Sequence, residues 1–272
     1  MGGTGGAGAA SGSGGSLAGA GGSDAGGSQG EAGAAGEAGS DPGVVLGWSS
    51  DALSQVDFAL LGGAELDAEG VALTRLDVKN RIGGLVRKQQ LDLKVEPGLR
   101  VDLGFRITAG DMNGDGLAIV LHGDPGGHSR LGSGGGGLGY GGLSPCLAIE
   151  IDTAEIAAAD LPAPHLGLMP GCDANDHGPS TTALGGDPSD GADWSLELAW
   201  SSATGLIDVT LRNEATGRET VLSEELDLMT AVGSELFVGV MAANGEFHAT
   251  HFVRRWHVSG GGVEPFTLTT SN

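Results

Sequence analysis

From residue 44 onward the sequence is a succession of short runs in which apolar and polar residues alternate, separated by turn-forming residues. Such runs occupy 101–107, 117–121, 147–152, 165–169, 194–200, 206–211, 236–241 and 252–258. A period of two is the mark of a strand that packs one face and solvates the other, and many short strands at this spacing make an antiparallel sandwich or barrel. No long stretch keeps a helical period, so the fold class is all-β. One domain, 44–272, is an ordinary size for such a fold.

Residues 1–43 have a different character. They are Gly, Ala and Ser with scattered acids, no Lys or Arg, and a single large apolar residue, Leu17, besides Met1. Such a segment cannot bury enough apolar surface to offset its chain entropy and is expected to be a disordered linker. It contains no GxxxxGK[ST] phosphate loop.

The chemistry concentrates in 146–172, CLAIEIDTAEIAAADLPAPHLGLMPGC. Two strands, 147–152 and 165–169, flank a loop containing Pro162 and Pro164. Glu150 and Asp152 lie two residues apart, hence on one face and about 7 Å from each other along the strand. Antiparallel pairing returns His165 beside them, and Asp160 belongs to the intervening loop. Three carboxylates and an imidazole in one half-buried volume repel and desolvate one another unless a cation holds them. Mixed oxygen and nitrogen donors suit Mn, Zn or a similar ion, and an all-oxygen neighbour suits calcium. The alternative is a solvated acidic face with a structural histidine.

Pairing Asp152 with Leu166 gives a constant register sum of 318, which Cys146 and Cys172 also satisfy. The two cysteines of the chain are therefore expected to face each other as a disulfide, implying an oxidising compartment, with two buried free thiols as the alternative.

A formal net charge of -22 argues against nucleic acid or an anionic membrane surface as partner. No run of 18 apolar residues occurs, so no membrane insertion is expected. No signal peptide is read at the N-terminus. With the acidic leader as a tether, the expected localisation is extracellular or at the cell surface.

Residues 111–116, DMNGDG, begin like an EF-hand loop, but the twelfth position is His122 and the second half is an apolar strand. Asp115 instead reads as a residue at the mouth of a strand. Residues 134–142, GGGGLGYGG, form a loop whose backbone can approach a ligand closely.

The order of these motifs resembles the legume-type (L-type) lectins. DGLAIVL at 115–121, GGGGLGYGG, LAIEIDT at 147–153 and HLGL at 165–168 carry the likeness, as do FVGVMAANG at 237–245 with HFVRRW at 251–256, and FALLGGA at 58–64. The resemblance spans roughly 46–260. It implies a jelly-roll β-sandwich and a site in which calcium and a transition metal of the Mn2+ kind sit side by side beneath a carbohydrate. Residue by residue, it implies that Glu150, Asp152, Asp160 and His165 ligate the transition metal. Asp152 and Asp160 would bridge to calcium, with the carbonyl of Ala154. Asp115 would bind the sugar hydroxyls behind a cis peptide at Gly114–Asp115, with Gly135, Gly136, Gly245 and Glu246 as the remaining sugar contacts. Where the family has an asparagine that serves both calcium and sugar, this chain has Ile156, which can do neither; Glu155 and Asn175 are the nearby substitutes. Tyr140 and Phe247 are the aromatics available to stack on a sugar.

The resemblance implies a secreted, non-enzymatic lectin with a glycan as partner, and a homodimer by analogy. Two other functions compete. One is a structural or adhesion module with a degenerate site. The other is a β-glucanase-like hydrolase, since EIDTAE at 150–155 is a literal ExDxxE, although the chain holds one tyrosine and no aromatic near the motif.

Overall fold

The computed structural model describes residues 44–110, 113–154, 162–173, 180–246 and 248–270. The expected linker at 1–43 lies outside them. So do Asp160, Ile156, Glu155, Asn175 and Phe247.

Seventeen strands alternate along the described chain. They are β1 (Val44–Gly47), β2 (Phe58–Gly62), β3 (Glu65–Asp67), β4 (Gly70–Thr74), β5 (Arg81–Arg87), β6 (Leu91–Asp92), β7 (Gly98–Ala109), β8 (Gly116–His122) and β9 (Cys146–Asp152). Then follow β10 (His165–Pro170), β11 (Thr181–Ala183), β12 (Asp190–Ser201), β13 (Leu206–Asn213), β14 (Glu219–Glu225), β15 (Glu235–Asn244), β16 (Ala249–Gly260) and β17 (Val263–Thr269). Two short helices, α1 (Ser50–Gln55) and α2 (Leu228–Val232), add Ala52, Leu53, Leu228 and Val232 to the core. The all-β expectation holds.

The strands form two sheets. A nine-stranded sheet runs β1-β17-β16-β7-β12-β13-β14, with β4 on β16 and β3 on β4. An eight-stranded sheet runs β11-β10-β9-β8-β15-β5-β2, with β6 on β15. The core lies between them, because alternate residues of both sheets meet there. Val101, Leu103, Phe105 and Ile107 of β7 face Ile149 and Ile151 of β9 and Leu117, Ile119 and Leu121 of β8 within one apolar cluster.

A second, smaller cluster covers the opposite face of the eight-stranded sheet. Val86, Ala118, Val120, Ala148, Met169, Phe237 and Met241 project outward there and are roofed by Leu138, Tyr140 and Leu143 of the glycine-rich loop. Strands β8 and β9 are consequently buried on both faces. The half-buried strand expected at 147–152 is fully buried, and its polar residues are held in a roofed interior where partners matter far more.

The hairpin register differs by one from the expected sum. His165, not Leu166, faces Asp152, so Cys146 would oppose Gly171. The disulfide nevertheless forms, with a Cα–Cα distance of 5.5 Å. The reason is the turn that ends β10: Gly171 and Cys172 adopt φ of 77° and 53°, and Gly171 donates its amide to the Cys146 carbonyl at 2.7 Å. This left-handed step moves Cys172 back alongside Cys146. The bond closes a loop of 26 residues, so replacing both cysteines by Ser is expected to cost about 3 kcal/mol in denaturant unfolding. A variant pair as stable as the parent would contradict that.

Candidate functional site

One rung of the eight-stranded sheet gathers the expected site. Ile82 on β5 pairs with Ala243 on β15, which pairs with Gly116 on β8; Gly116 pairs with Asp152 on β9, which pairs with His165 on β10. Asp115 immediately precedes this rung. Glu150 lies two residues back along β9, on the same outward face as Asp152. The glycine-rich loop rests on the far end of the rung, where a Cβ on Gly134 or Gly139 would press against Ile82.

Asp115 is 2 % exposed. Its carboxylate accepts the backbone amide of Gly245, and its Oδ2 has no hydrogen-bond partner among the described residues. Burial raises its pKa from the ordinary carboxylate value to about 6, and the Gly245 bond opposes part of that rise. Gly245 can approach so closely only because it lacks a side chain: a Cβ there would stand 3.0 Å from Asp115 Oδ2. The peptide Gly114–Asp115 is trans, since the cis bonds among the described residues precede Pro145 and Pro164. That corrects the expectation of a cis bond. A cis non-proline peptide costs about 3 kcal/mol, and the trans form suffices to bring Asp115 beside Gly245.

The hairpin side chains are drawn together as expected. Glu150, Asp152 and His165 are 1 %, 4 % and 2 % exposed. His165 Nε2 lies 3.3 Å from Glu150 Oε1. Asp152 Oδ1 accepts the amide of Ala154 at 2.8 Å, which fixes the chain just beyond the rung. Thr153 ties the two halves of the site, donating its hydroxyl to the Gly114 carbonyl at 2.5 Å and its amide to the Asp115 carbonyl at 3.1 Å. Among the described residues no group of three acidic, histidine or cysteine side chains is closed around a single ion position. Glu150 Oε1 and His165 Nε2 bring an oxygen and a nitrogen donor together, the donor types that a divalent transition metal takes.

Gly135 and Gly136 form, with Gly137, a one-turn 3-10 helix. Gly137 and Gly141 press onto Ser133, where a Cβ on either would come within 2.2 Å of the Ser133 hydroxyl. A Cβ on Gly135, by contrast, would meet open space. Glu246 is exposed and lies 3.8 Å from Lys79.

Tyr140 is buried and does not offer a ring for stacking on a sugar, which corrects the expectation for it. The loop that carries it folds down onto the apolar face of the sheet, and the ring fills that interior. Its hydroxyl donates to Glu150 Oε2. Burial, then the carboxylates of Glu150, Asp152 and Asp173, push the phenol far above its usual range, so it stays protonated and remains a donor. Neither this bond nor the proximity of Asp173 was legible in the sequence; the glycine run around a single tyrosine was the only cue.

Residues 50–269 match the family described as the legume lectin domain. No curated protein sequence matches the chain. Solved structures do. Lectin II from Ulex europaeus shares 18 % identity over 75 % of this chain and 92 % of its own, with a TM-score of 0.66. The winged bean acidic lectin, solved with methyl-α-D-galactose, shares 21 % over 75 % and 92 %, with a TM-score of 0.65. Lectin I-B4 from Griffonia simplicifolia, in a metal-free form, shares 19 % over 80 % and 97 %, with a TM-score of 0.66. At such identities the likeness is one of fold.

Proposed function

The chain belongs to the legume lectin domain family and is not an enzyme, and from that premise we propose that it binds carbohydrate at the Asp115 end of the rung, supported by divalent cations. The observation that carries the site is Asp115 itself: a buried carboxylate held by the amide of Gly245, with one oxygen unengaged among the described residues. A fixed, charged acceptor suits paired sugar hydroxyls, each of which can donate to it. The winged bean structure, which contains a galactose derivative, makes galactosides the first ligands to try.

Glu150, Asp152 and His165 would hold a transition metal of the Mn2+ type, with Asp160 as a further ligand. Asp152 and the Ala154 carbonyl would serve calcium, and Ile156 would not. When bound, such ions supply the positive charge that buried carboxylates otherwise lack. The chain's own task is to keep the donors together and the loops ordered, so that little entropy remains to be lost on sugar binding. We further propose that the domain works outside the cell, which the disulfide supports, and that 1–43 is its tether.

A glycan array probed with the full chain, with and without EDTA, tests this. Binding is expected in Mn2+ and Ca2+ and lost after chelation, together with a fall in melting temperature. Glycan binding indifferent to EDTA would remove the ions from the proposal. No binding under any condition would leave an adhesion module with a degenerate site.

A further inference from the structure

Tyr140 is the only tyrosine in the chain, and it joins two parts of the site that share no other side-chain bond among those described above. At one end its hydroxyl holds Glu150 Oε2, leaving Oε1 toward His165 Nε2 at 3.3 Å. A carboxylate that is 1 % exposed and gripped at one oxygen cannot turn freely. At the other end Tyr140 closes the glycine turn. Its amide donates to the Gly137 carbonyl at 2.8 Å, and the amide of Gly141 donates to the same carbonyl at 2.9 Å. Gly142, next in line, donates to the carbonyl of Cys172 at 3.0 Å, which fastens the C-terminal side of the turn to the hairpin.

We propose that Tyr140 is a positioning residue that couples the cation ligand Glu150 to the glycine turn at Gly135 and Gly136. Through its hydroxyl it presents Glu150 Oε1, rather than Oε2, to a divalent cation. Through its backbone it sets the height of the turn above the rung. This rests on the metal-supported reading given above and deepens it. Hydrogen bonds to metal ligands from the surrounding shell typically change metal affinity by 10–100-fold. A purely space-filling role for the ring would predict no such change when the hydroxyl alone is removed.

The test uses the full chain with two variants, Tyr140→Phe and Tyr140→Leu. Mn2+ affinity is measured by competition with a chelator, and hydrogen exchange is followed across 131–143 with and without saturating Mn2+. Both variants are expected to bind Mn2+ about 10–100-fold more weakly and to a similar degree. Exchange at the Tyr140 and Gly141 amides should quicken in both, even when Mn2+ is saturating. The Leu variant, which also loses the ring, should show the larger fall in melting temperature without Mn2+. If Tyr140→Phe binds Mn2+ as the parent does and its turn exchanges at the parental rate, the inference is overturned while the metal reading stands. If the parent itself takes up no Mn2+, the metal reading falls and carries this inference with it.

Discussion

Asp115→Asn is expected to lower affinity for the bound sugar by at least about a hundredfold and, at the same time, to raise the melting temperature. The two effects share one cause. Asp115 is buried with Oδ2 unengaged among the described residues, and burial lifts its pKa from 3.8 to about 6. Keeping it ionised in the fold at pH 7 therefore costs about 3 kcal/mol, and a neutral amide of the same shape removes that cost. For a domain of this size the gain corresponds to roughly 6–12 °C. The amide cannot replace the carboxylate in binding. Two sugar hydroxyls donating to a charged acceptor contribute about 1.5 kcal/mol or more each, and an amide offers one acceptor where the carboxylate offers two. The parent's affinity should also fall below pH 6, where Asp115 takes up a proton, while the residual binding of Asp115→Asn stays flat with pH. Isothermal titration with the best ligand from the array decides the matter. A variant that binds like the parent would remove Asp115 from the sugar site, and one less stable than the parent would contradict the burial argument.

Eight of the seventeen strands were legible as short runs of closely or alternately spaced apolar residues, and β2 by resemblance. The unread ones have local reasons. Strand β5, RIGGLVR, looks weak on account of its two glycines, yet Gly83 is required: a Cβ there would lie 1.8 Å from the Leu73 carbonyl oxygen. Strand β17 contains Pro265, which reads as a breaker. Opposite it the pairing with β16 shifts between Val258 and Gly260, so the missing amide falls where the ladder is already irregular. In the site, Glu150, Asp152 and His165 were readable from alternation and an approximate register. The one-residue error came from the left-handed turn at Gly171 and Cys172, which a register sum cannot foresee. The cis peptide was carried over by resemblance and is absent. The inward turn of Tyr140 is not legible, because nothing in GGGGLGYGG states whether the loop turns its ring toward solvent or toward the sheet.

Acid should weaken the fold well before the ordinary carboxylates are neutralised, and two buried histidines explain why. His251, wholly buried, shares its Nδ1 with the Thr74 hydroxyl at 2.6 Å, and its Nε2 has no partner among the described residues. Desolvation lowers its pKa from 6.5 to about 3. His122, stacked near Phe237 at 5.4 Å, is lowered to about 4 by burial, only partly countered by Asp124. A histidine with a depressed folded pKa takes up its proton more readily when unfolded. Its contribution to stability is complete above pH 6.5 and is lost as pH falls from there toward the folded value. Asp115 works the other way: its raised pKa makes the folded state the better proton binder, so stability lost above pH 6 returns on acidification. At pH 5 each histidine has given up about 2 kcal/mol and Asp115 has returned about 1, leaving a net loss of roughly 2–3 kcal/mol relative to pH 7. Melting in EDTA, which separates this effect from cation release, should show a fall of roughly 5–10 °C between pH 7 and pH 5. His122→Leu should shrink that fall by more than half, since one histidine then opposes Asp115 alone. A melting temperature that holds steady between pH 7 and pH 5 would mean that these imidazoles find partners, or water, that the folded interior described here denies them.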